Sequence, residues 1–228
     1  MLFFLFACLT PKKNDVSLQP SQVLLDGVVL NAKWDDGDTF SAIDPTTNTK
    51  IKARLAGFNS LESYGPVHRW GDWTAKELYL LAKEAGVFAR SKGWECSDTQ
   101  KGGGYGRLLV DCPALRKEIL EAGLAHPFSI GEAAPEADLM AMQAGAAAKN
   151  GMWAKGHPSF LITSLHSQDE KPDKDAYNRV CDLSTGVCEV QTHQETYGVC
   201  QEVCIQDSCM IYVPYTKRYR NKAVCLTE

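Results

Sequence analysis

Short apolar stretches, the first of them rich in β-branched residues and leucine, predict β-strands. Turn-forming residues separate the stretches, including Asp36-Gly37 and a glycine-rich loop at 102–104. We therefore predict a three-stranded antiparallel meander followed by a further strand pair. The five predicted strands cover residues 23–32, 39–43, 50–55, 87–96 and 107–112.

Three other stretches carry apolar residues at helical spacing. Thr74 and Glu77 match the two positions of a capping box at the start of the first stretch, and Gly86 is expected to end it. Five strands curled into a barrel with helices packed on it form an OB-like architecture, so we predict an α+β fold built on a five-stranded OB-fold barrel. The predicted helices cover residues 74–85, 114–122 and 136–149.

Composition divides the chain into four parts. Residues 167–175 are charged and lack large apolar groups, so we predict a linker there, between a barrel domain at 23–166 and a small C-terminal domain at 176–228. The C-terminal part has too few aliphatic residues for a core of its own, so disulfides would have to hold it together. Residues 1–22 are expected to be an export signal and a polar tether.

The chain has nine cysteines. Without Cys8 the remaining eight are an even number, which is consistent with four disulfides formed in an oxidising compartment. Cys96 and Cys112 lie near the far ends of the last predicted strand pair, where a disulfide can staple the hairpin. No Cys-x-x-Cys pair occurs, which leaves a zinc site as the weaker alternative.

The first ten residues form an apolar run that ends at the Pro-Lys-Lys of 11–13. A membrane-spanning helix needs about 20 apolar residues, so the run fits the end of an export signal better. The Leu-Phe-Ala-Cys of 5–8 resembles a bacterial lipobox, in which the cysteine carries a lipid anchor. We expect a bacterial secreted protein or a cell-envelope lipoprotein anchored at Cys8, with a buried N-terminal strand as the alternative.

The net charge of the chain limits which classes of function it can have. The net charge is −4, which argues against a protein that binds nucleic acid by bulk electrostatic attraction, so a polyanionic substrate would need a local site. The acidic turn at 35–38, with Arg54, Glu62 and Arg107, can form one. Carboxylates suit calcium or magnesium, guanidinium groups suit phosphate oxygens, and a spare carboxylate can handle water. This set of groups is sufficient for phosphodiester hydrolysis.

Five short motifs occur in order: Asp-Gly-Asp-Thr-Phe at 36–40, Arg-Leu-Ala-Gly-Phe-Asn-Ser-Leu-Glu at 54–62, Tyr-Gly-Arg at 105–107, Gly-Leu-Ala at 123–125 and Gly-Met-Trp at 151–153. Together they resemble the motifs of staphylococcal-nuclease-like (thermonuclease) domains. The resemblance implies Ca²⁺ as the cofactor and hydrolysis of DNA or RNA with little sequence preference, because such a site contacts phosphate rather than base edges. We expect no obligate protein partner.

Carried over position by position, the resemblance implies roles for eight residues. Two arginines would hold the phosphate and stabilise its transition state, and a glutamate would orient or activate the attacking water. The implied catalytic residues are Arg54, Glu62 and Arg107, the metal ligands are Asp38, Asn59 and the Ser60 carbonyl, Tyr105 borders the nucleotide pocket, and Asp36 lies behind the metal ligands.

Two departures from the family pattern favour a rival hypothesis. Asn59 stands where the family has a metal-binding aspartate, which removes one negative charge from the site. Leu61 replaces a proline in the loop that presents Glu62. The rival is an OB-like module that binds nucleic acid with weak turnover or none. A third hypothesis assigns the biological role, such as adhesion, to the C-terminal domain.

Three weaker signals each have a structural alternative. The His-Arg-Trp of 68–70 either lines the site or clamps its loop with aromatic rings. The segment 215–222 holds four cations and two tyrosines, which suits a single-stranded nucleic acid, a polyanionic cell surface or an ordinary solvated strand. His126, His157 and His166 have no companion at metal-ligand spacing, so we interpret them as surface or packing residues.

Overall fold

The computed structural model describes residues 17–218 and 225–226, so Cys8 and most of the expected export segment lie outside the described residues. The described part is an α+β structure. Its helices are α1 (Ala75–Ala89), α2 (Pro113–Glu121) and α3 (Glu136–Ala147). Its strands are β1 (Gln22–Leu25), β2 (Val28–Asn31), β3 (Lys33–Trp34), β4 (Thr39–Ile43), β5 (Lys50–Leu55), β6 (Phe58–Ser60), β7 (Val67–Arg69), β8 (Trp94–Gly102), β9 (Leu108–Asp111), β10 (Ala125–Pro127), β11 (Phe160–Ser164), β12 (Ala176–Asp182), β13 (Cys188–His193), β14 (Glu202–Ile205) and β15 (Ser208–Ile211).

The largest sheet is a nearly closed, barrel-like sheet with the strand order β2-β1-β8-β9-β5-β4-β3. Strands β2 and β4 contact each other, which brings the two ends of the sheet together. The α+β class and the barrel-like sheet are thus confirmed, but the sheet has seven strands where we predicted five. Its interior is filled by apolar side chains that include Val23, Leu30, Phe40, Leu55 and Val110.

The single strand predicted at 23–32 is wrong, because the chain turns back within it. Strands β1 and β2 form an antiparallel hairpin in which Leu25 pairs with Val28. Asp26 and Gly27 between them have φ values of 47° and 88°. An Asp-Gly pair in this left-handed region makes the two-residue turn that best matches the twist of a hairpin. By contrast, the strands predicted at 39–43 and 50–55 are confirmed at both ends.

The first helix is longer than predicted. Its capping box is confirmed, with the Thr74 side chain accepting from the Glu77 amide and the Glu77 side chain accepting from the Thr74 amide. Gly86 does not end the helix, which continues to Ala89, and β8 begins only at Trp94, so the strand predicted at 87–96 is wrong over residues 87–93. A Cβ atom at Gly86 would lie 3.4 Å from Asp36 Cα. The glycine thus allows the helix to pack closely on the acidic turn, which offsets its low helix propensity.

The C-terminal part is joined to the barrel part by shared sheets and a shared core. Strand β12 pairs with β11, and β15 pairs with β7, on opposite sides of the predicted linker at 167–175. The two parts are therefore packed together in the structure. Their division into two domains stays a prediction. One apolar cluster contains residues from both sides of the linker, namely Ile162, Leu165, Val180, Tyr197, Met210 and Tyr212.

All eight cysteines of the described residues form disulfides, as their even number predicted. The pair expected across the β8–β9 hairpin, Cys96–Cys112, is confirmed. Four disulfides indicate an oxidising, extracellular environment. Among the described helices, none has the length and apolar content that crossing a bilayer would require. The other three disulfides are Cys181–Cys188, Cys200–Cys225 and Cys204–Cys209.

Candidate functional site

Asp38 lies in the turn before β4, and its buried carboxylate is fully engaged. Oδ2 accepts hydrogen bonds from the Ser60 amide and hydroxyl at 2.8 and 2.9 Å, and Oδ1 accepts one from Thr39 Oγ1 at 3.0 Å. Arg54 forms an ion pair with the same carboxylate. Burial raises the pKa of Asp38, but Arg54 and the Ser60 bonds outweigh it and hold the pKa below its usual range. Asp38 is therefore an anion in the folded protein.

Arg54 links Asp38 to the predicted ligand Asn59. Its Nη2 donates to Asn59 Oδ1 at 2.6 Å and to the Phe58 carbonyl at 3.2 Å. Asn59 Nδ2 in turn donates to the Ser60 carbonyl at 2.8 Å. The oxygens predicted to bind a metal thus lie within one small network, and protein donors occupy them.

Glu62 lies beside this network, and charged groups of the predicted site act on its carboxyl group. Burial and the negative charge of Asp38 raise the pKa of Glu62 to about 7. Arg218, Arg54 and Arg107 lower that pKa and so limit the rise. A carboxyl group with a pKa near neutrality can accept or release a proton at physiological pH.

Asp36 is a second acid behind Asp38. Its Oδ1 accepts a hydrogen bond from the Asp38 amide at 3.0 Å. Burial and repulsion from Asp38 raise the pKa of Asp36 well above its usual value, and Glu62 adds to the repulsion. Asp36 therefore holds a proton more readily than a free aspartate does, mainly because it is buried.

Arg107 comes from the glycine-rich loop between β8 and β9. Its Nε donates to the Gly103 and Gly104 carbonyls at 3.2 Å each. A Cβ atom at Gly103 would lie 2.7 Å from a backbone oxygen and 3.1 Å from Arg54 Cβ, so the loop can pass this close to β5 only with glycine there. Burial and then repulsion from Arg54 lower the pKa of Arg107. Tyr105 in the same loop is 83% exposed, and the Arg107 guanidinium carbon lies 5.8 Å from the centre of its ring.

Four strands explain why residues so distant in sequence meet. β4 and β5 pair side by side, β9 runs parallel to β5, and β6 follows β5 directly. Arg54, Glu62 and Arg107 consequently lie close enough to perturb one another electrostatically, and Tyr105 stands at the exposed edge of this site.

Several neighbours of the site carry no motif that we identified as functional. His126 is fully buried on β10, and its Nε2 lies 3.5 Å from Asn59 Nδ2. We predicted either a surface residue or a packing residue there, and the burial shows that it is a packing residue. Phe128 has the Arg54 guanidinium carbon 5.8 Å from its ring centre. Arg218 comes from the C-terminal part and acts on Glu62. Two of them had a sequence signal. His126 directly follows the Gly-Leu-Ala motif, and Arg218 belongs to the basic segment 215–222, whose residues 219–222 lie outside the described residues.

A hard cation fits this site by donor type and by charge. Asp36 and Asp38 offer carboxylates, and Asn59 and Ser60 offer carbonyl oxygens, which are the ligands that calcium prefers. A bound cation would also offset the repulsion that Asp38 and Glu62 exert on Asp36. Elsewhere among the described residues, Glu202, Cys204 and Cys209 lie close together, but the two sulfurs form a disulfide and so are not thiolate ligands.

No family model matches this chain, and a search of curated proteins finds no match. The resemblance to staphylococcal-nuclease-like domains therefore depends on the five motifs and on where their residues lie.

Proposed function

We propose that this protein is an exported, calcium-dependent nuclease that hydrolyses phosphodiester bonds of DNA or RNA with little sequence preference. The observation that supports this most directly is the meeting of two guanidinium groups with a carboxyl group of near-neutral pKa, Arg54, Arg107 and Glu62, next to the buried anion Asp38. Two cations and a proton acceptor at one place are hard to explain by folding, because burying charge is costly.

In the proposed reaction the two arginines bind the non-bridging oxygens of the scissile phosphate and neutralise the charge that develops there. Arg107 is anchored through Nε alone, and its Nη groups have no acceptor among the described residues. Glu62 orients a water molecule and takes up its proton as the water oxygen bonds to phosphorus. The phosphorus–oxygen bond to the leaving sugar breaks, and that sugar oxygen takes a proton from solvent. Asp38, Asn59 and Ser60 would hold the cation, with Asp36 behind them, and a bound Ca²⁺ would supply Lewis-acid polarisation of a phosphate oxygen.

The test is cleavage of single-stranded DNA by the purified protein, with calcium or with a chelator. We expect cleavage only with calcium. Glu62→Gln should lower the rate by about 100-fold or more, which is typical for loss of a general base. Glu95→Gln, which changes an exposed glutamate of β8, should cleave like the natural protein. Equal cleavage with chelator, or no cleavage at all, would reject the mechanism.

The rival function is a nucleic-acid-binding module without turnover or with weak turnover. It is favoured by Asn59 itself and by the bonds from Arg54 to Asp38 and Asn59, which occupy the oxygens that a metal needs. Asn59→Asp separates the two functions. If this variant cleaves where the natural protein only binds, the natural protein is a binder.

We further propose a lipid anchor at Cys8 and, within the seven-stranded sheet, an OB-type barrel core of five strands between residues 23 and 166. The four disulfides support export but do not bear on the anchor. Mass spectrometry of the N-terminal peptide tests the anchor, and substitution of Cys8 by serine should release the protein from the cell envelope.

A further inference from the structure

Strand β12 of the C-terminal part presents two polar side chains toward the candidate site. Tyr177 and Arg179 are two residues apart, so they lie on one face of the strand, while Ala176, Asn178 and Val180 on the other face are buried. Strand β12 is the central strand of its sheet, paired to β11 on one side and β13 on the other. The direction of both side chains is therefore held by the fold.

Phe128 connects this face to the site. The guanidinium carbons of Arg54 and Arg179 lie 5.8 and 5.7 Å from the centre of its ring. Phe128 itself is held on both sides, since its amide donates to the Gly57 carbonyl and the next residue, Ser129, bonds to the β12–β13 turn. Arg179 is thus positioned one aromatic ring away from a proposed phosphate-binding arginine.

The Arg179 guanidinium lacks the partners that the other arginines around it have. Its contacts are with the rings of Phe128 and Tyr177, and its Nε is buried with no hydrogen-bond acceptor among the described residues. Arg218, by comparison, donates to two carbonyls and to Glu170. An arginine with an unsatisfied buried donor costs free energy unless an anion completes it.

Two further aromatic side chains, Tyr177 and Tyr105, lie between Arg179 and Arg107. Burial and then the neighbouring Tyr105 raise the pKa of Tyr177, and the Tyr105 ring lies 5.8 Å from the Arg107 guanidinium carbon. The order of contacts is therefore Arg54, Phe128, Arg179, Tyr177, Tyr105 and Arg107, in which aromatic rings separate the three cations. Cations separated by aromatic rings suit a single strand of nucleic acid, whose bases stack on aromatic rings and whose phosphates bind cations.

We infer that Arg179 binds a phosphate next to the scissile one, so that the C-terminal part makes the site selective for polynucleotide strands over diesters with one phosphate. This inference rests on the proposed function for the identity of the reaction. It assigns to the C-terminal part a role in specificity, which the five motifs do not cover.

The test compares two substrates and two variants. Arg179→Gln should raise KM for a 12-nucleotide single strand by about tenfold or more, the worth of one hydrogen bond to a charged group, with little change in kcat. Its kcat/KM for bis(4-nitrophenyl) phosphate, which has a single phosphate, should change less than about twofold. Lys149→Gln removes the same charge from an exposed position after α3, and its kcat and KM on both substrates should equal those of the natural protein.

Binding of the labelled strand with chelator present, followed by fluorescence anisotropy, tests the inference separately from catalysis. Arg179→Gln should weaken binding about tenfold and lower the slope of log K against log salt by about 0.7, the value for one phosphate contact on a single strand. If Arg179→Gln fails to fold, Arg179→Lys keeps the charge but loses the planar fork, and should bind about threefold more weakly with an unchanged slope.

The outcomes separate the two proposals. Natural protein that binds the strand but does not cleave it refutes the nuclease, while the anisotropy result still decides the role of Arg179. The inference is overturned if natural protein and Arg179→Gln bind the strand with equal affinity. It is also overturned if Arg179→Gln loses kcat/KM by the same factor on both substrates.

Discussion

Replacing His68 by glutamine should remove a large part of the protein's loss of stability in acid. His68 is 1% exposed on β7, and its Nε2 accepts a hydrogen bond from the Glu62 amide at 3.2 Å. Burial, with a smaller effect of His126, lowers the pKa of His68 from 6.5 to about 3. The folded protein thus holds this imidazole neutral at pH values where the unfolded chain protonates it.

The sign and size of the effect follow from that pKa difference. Between pH 6.5 and about 3 the unfolded chain binds a proton that the folded protein does not, so stability falls as the pH falls through this window. At pH 4 the loss from His68 alone is about 3 kcal/mol relative to pH 8, at about 1.4 kcal/mol for each pKa unit. Glutamine keeps an oxygen that can accept from the Glu62 amide but does not titrate.

Urea unfolding followed by tryptophan fluorescence at pH 8 and pH 4 measures the effect. The natural protein should lose about 3 kcal/mol more than His68→Gln between the two pH values. His126, whose pKa burial lowers to about 4, is present in both proteins, so its own contribution largely cancels. His157→Gln removes an exposed histidine and should behave like the natural protein. Equal acid losses in natural protein and His68→Gln would refute the reasoning.

Three further predictions concern backbone, disulfide and site. Gly123→Ala should lower the free energy of unfolding in urea by about 3 kcal/mol or more, because the φ of Gly123 is +65° and the new Cβ would lie 2.2 Å from a backbone oxygen. Gly131 has a φ of +82° but open space around it, so Gly131→Ala should lower that free energy by only about 1 kcal/mol. Replacing Cys96 and Cys112 together by alanine should cost about 3 kcal/mol in thermal unfolding, the loop entropy for their separation of 16 residues; an unchanged Tm would contradict this. Arg107→Lys should lower kcat on single-stranded DNA by about 100-fold without changing Tm, and a rate equal to that of the natural protein would exclude Arg107 from catalysis.

The accuracy of the sequence predictions depended on how local the deciding interactions are. The strands at 39–43 and 50–55 and the capping box at Thr74 follow from side-chain period and from contacts within a few residues, and they are confirmed. Gly86 illustrates the failure, because its helical state depends on the contact with Asp36, 50 positions earlier. Asp26-Gly27 is a hairpin signal inside the stretch that we predicted as one strand, and the pairing of Leu25 with Val28 shows that the chain turns there.

The candidate site shows the same division at a larger scale. The chain by itself determined which groups are available for phosphate chemistry, and its even set of eight cysteines determined that disulfides form. Only the tertiary structure decided that Arg54, Glu62 and Arg107 meet, and that Arg179 from β12 stands one ring away from them. The physical reason is that period, caps and turns are set by neighbours in sequence, whereas burial, pKa shifts and the meeting of side chains are set by packing between distant segments.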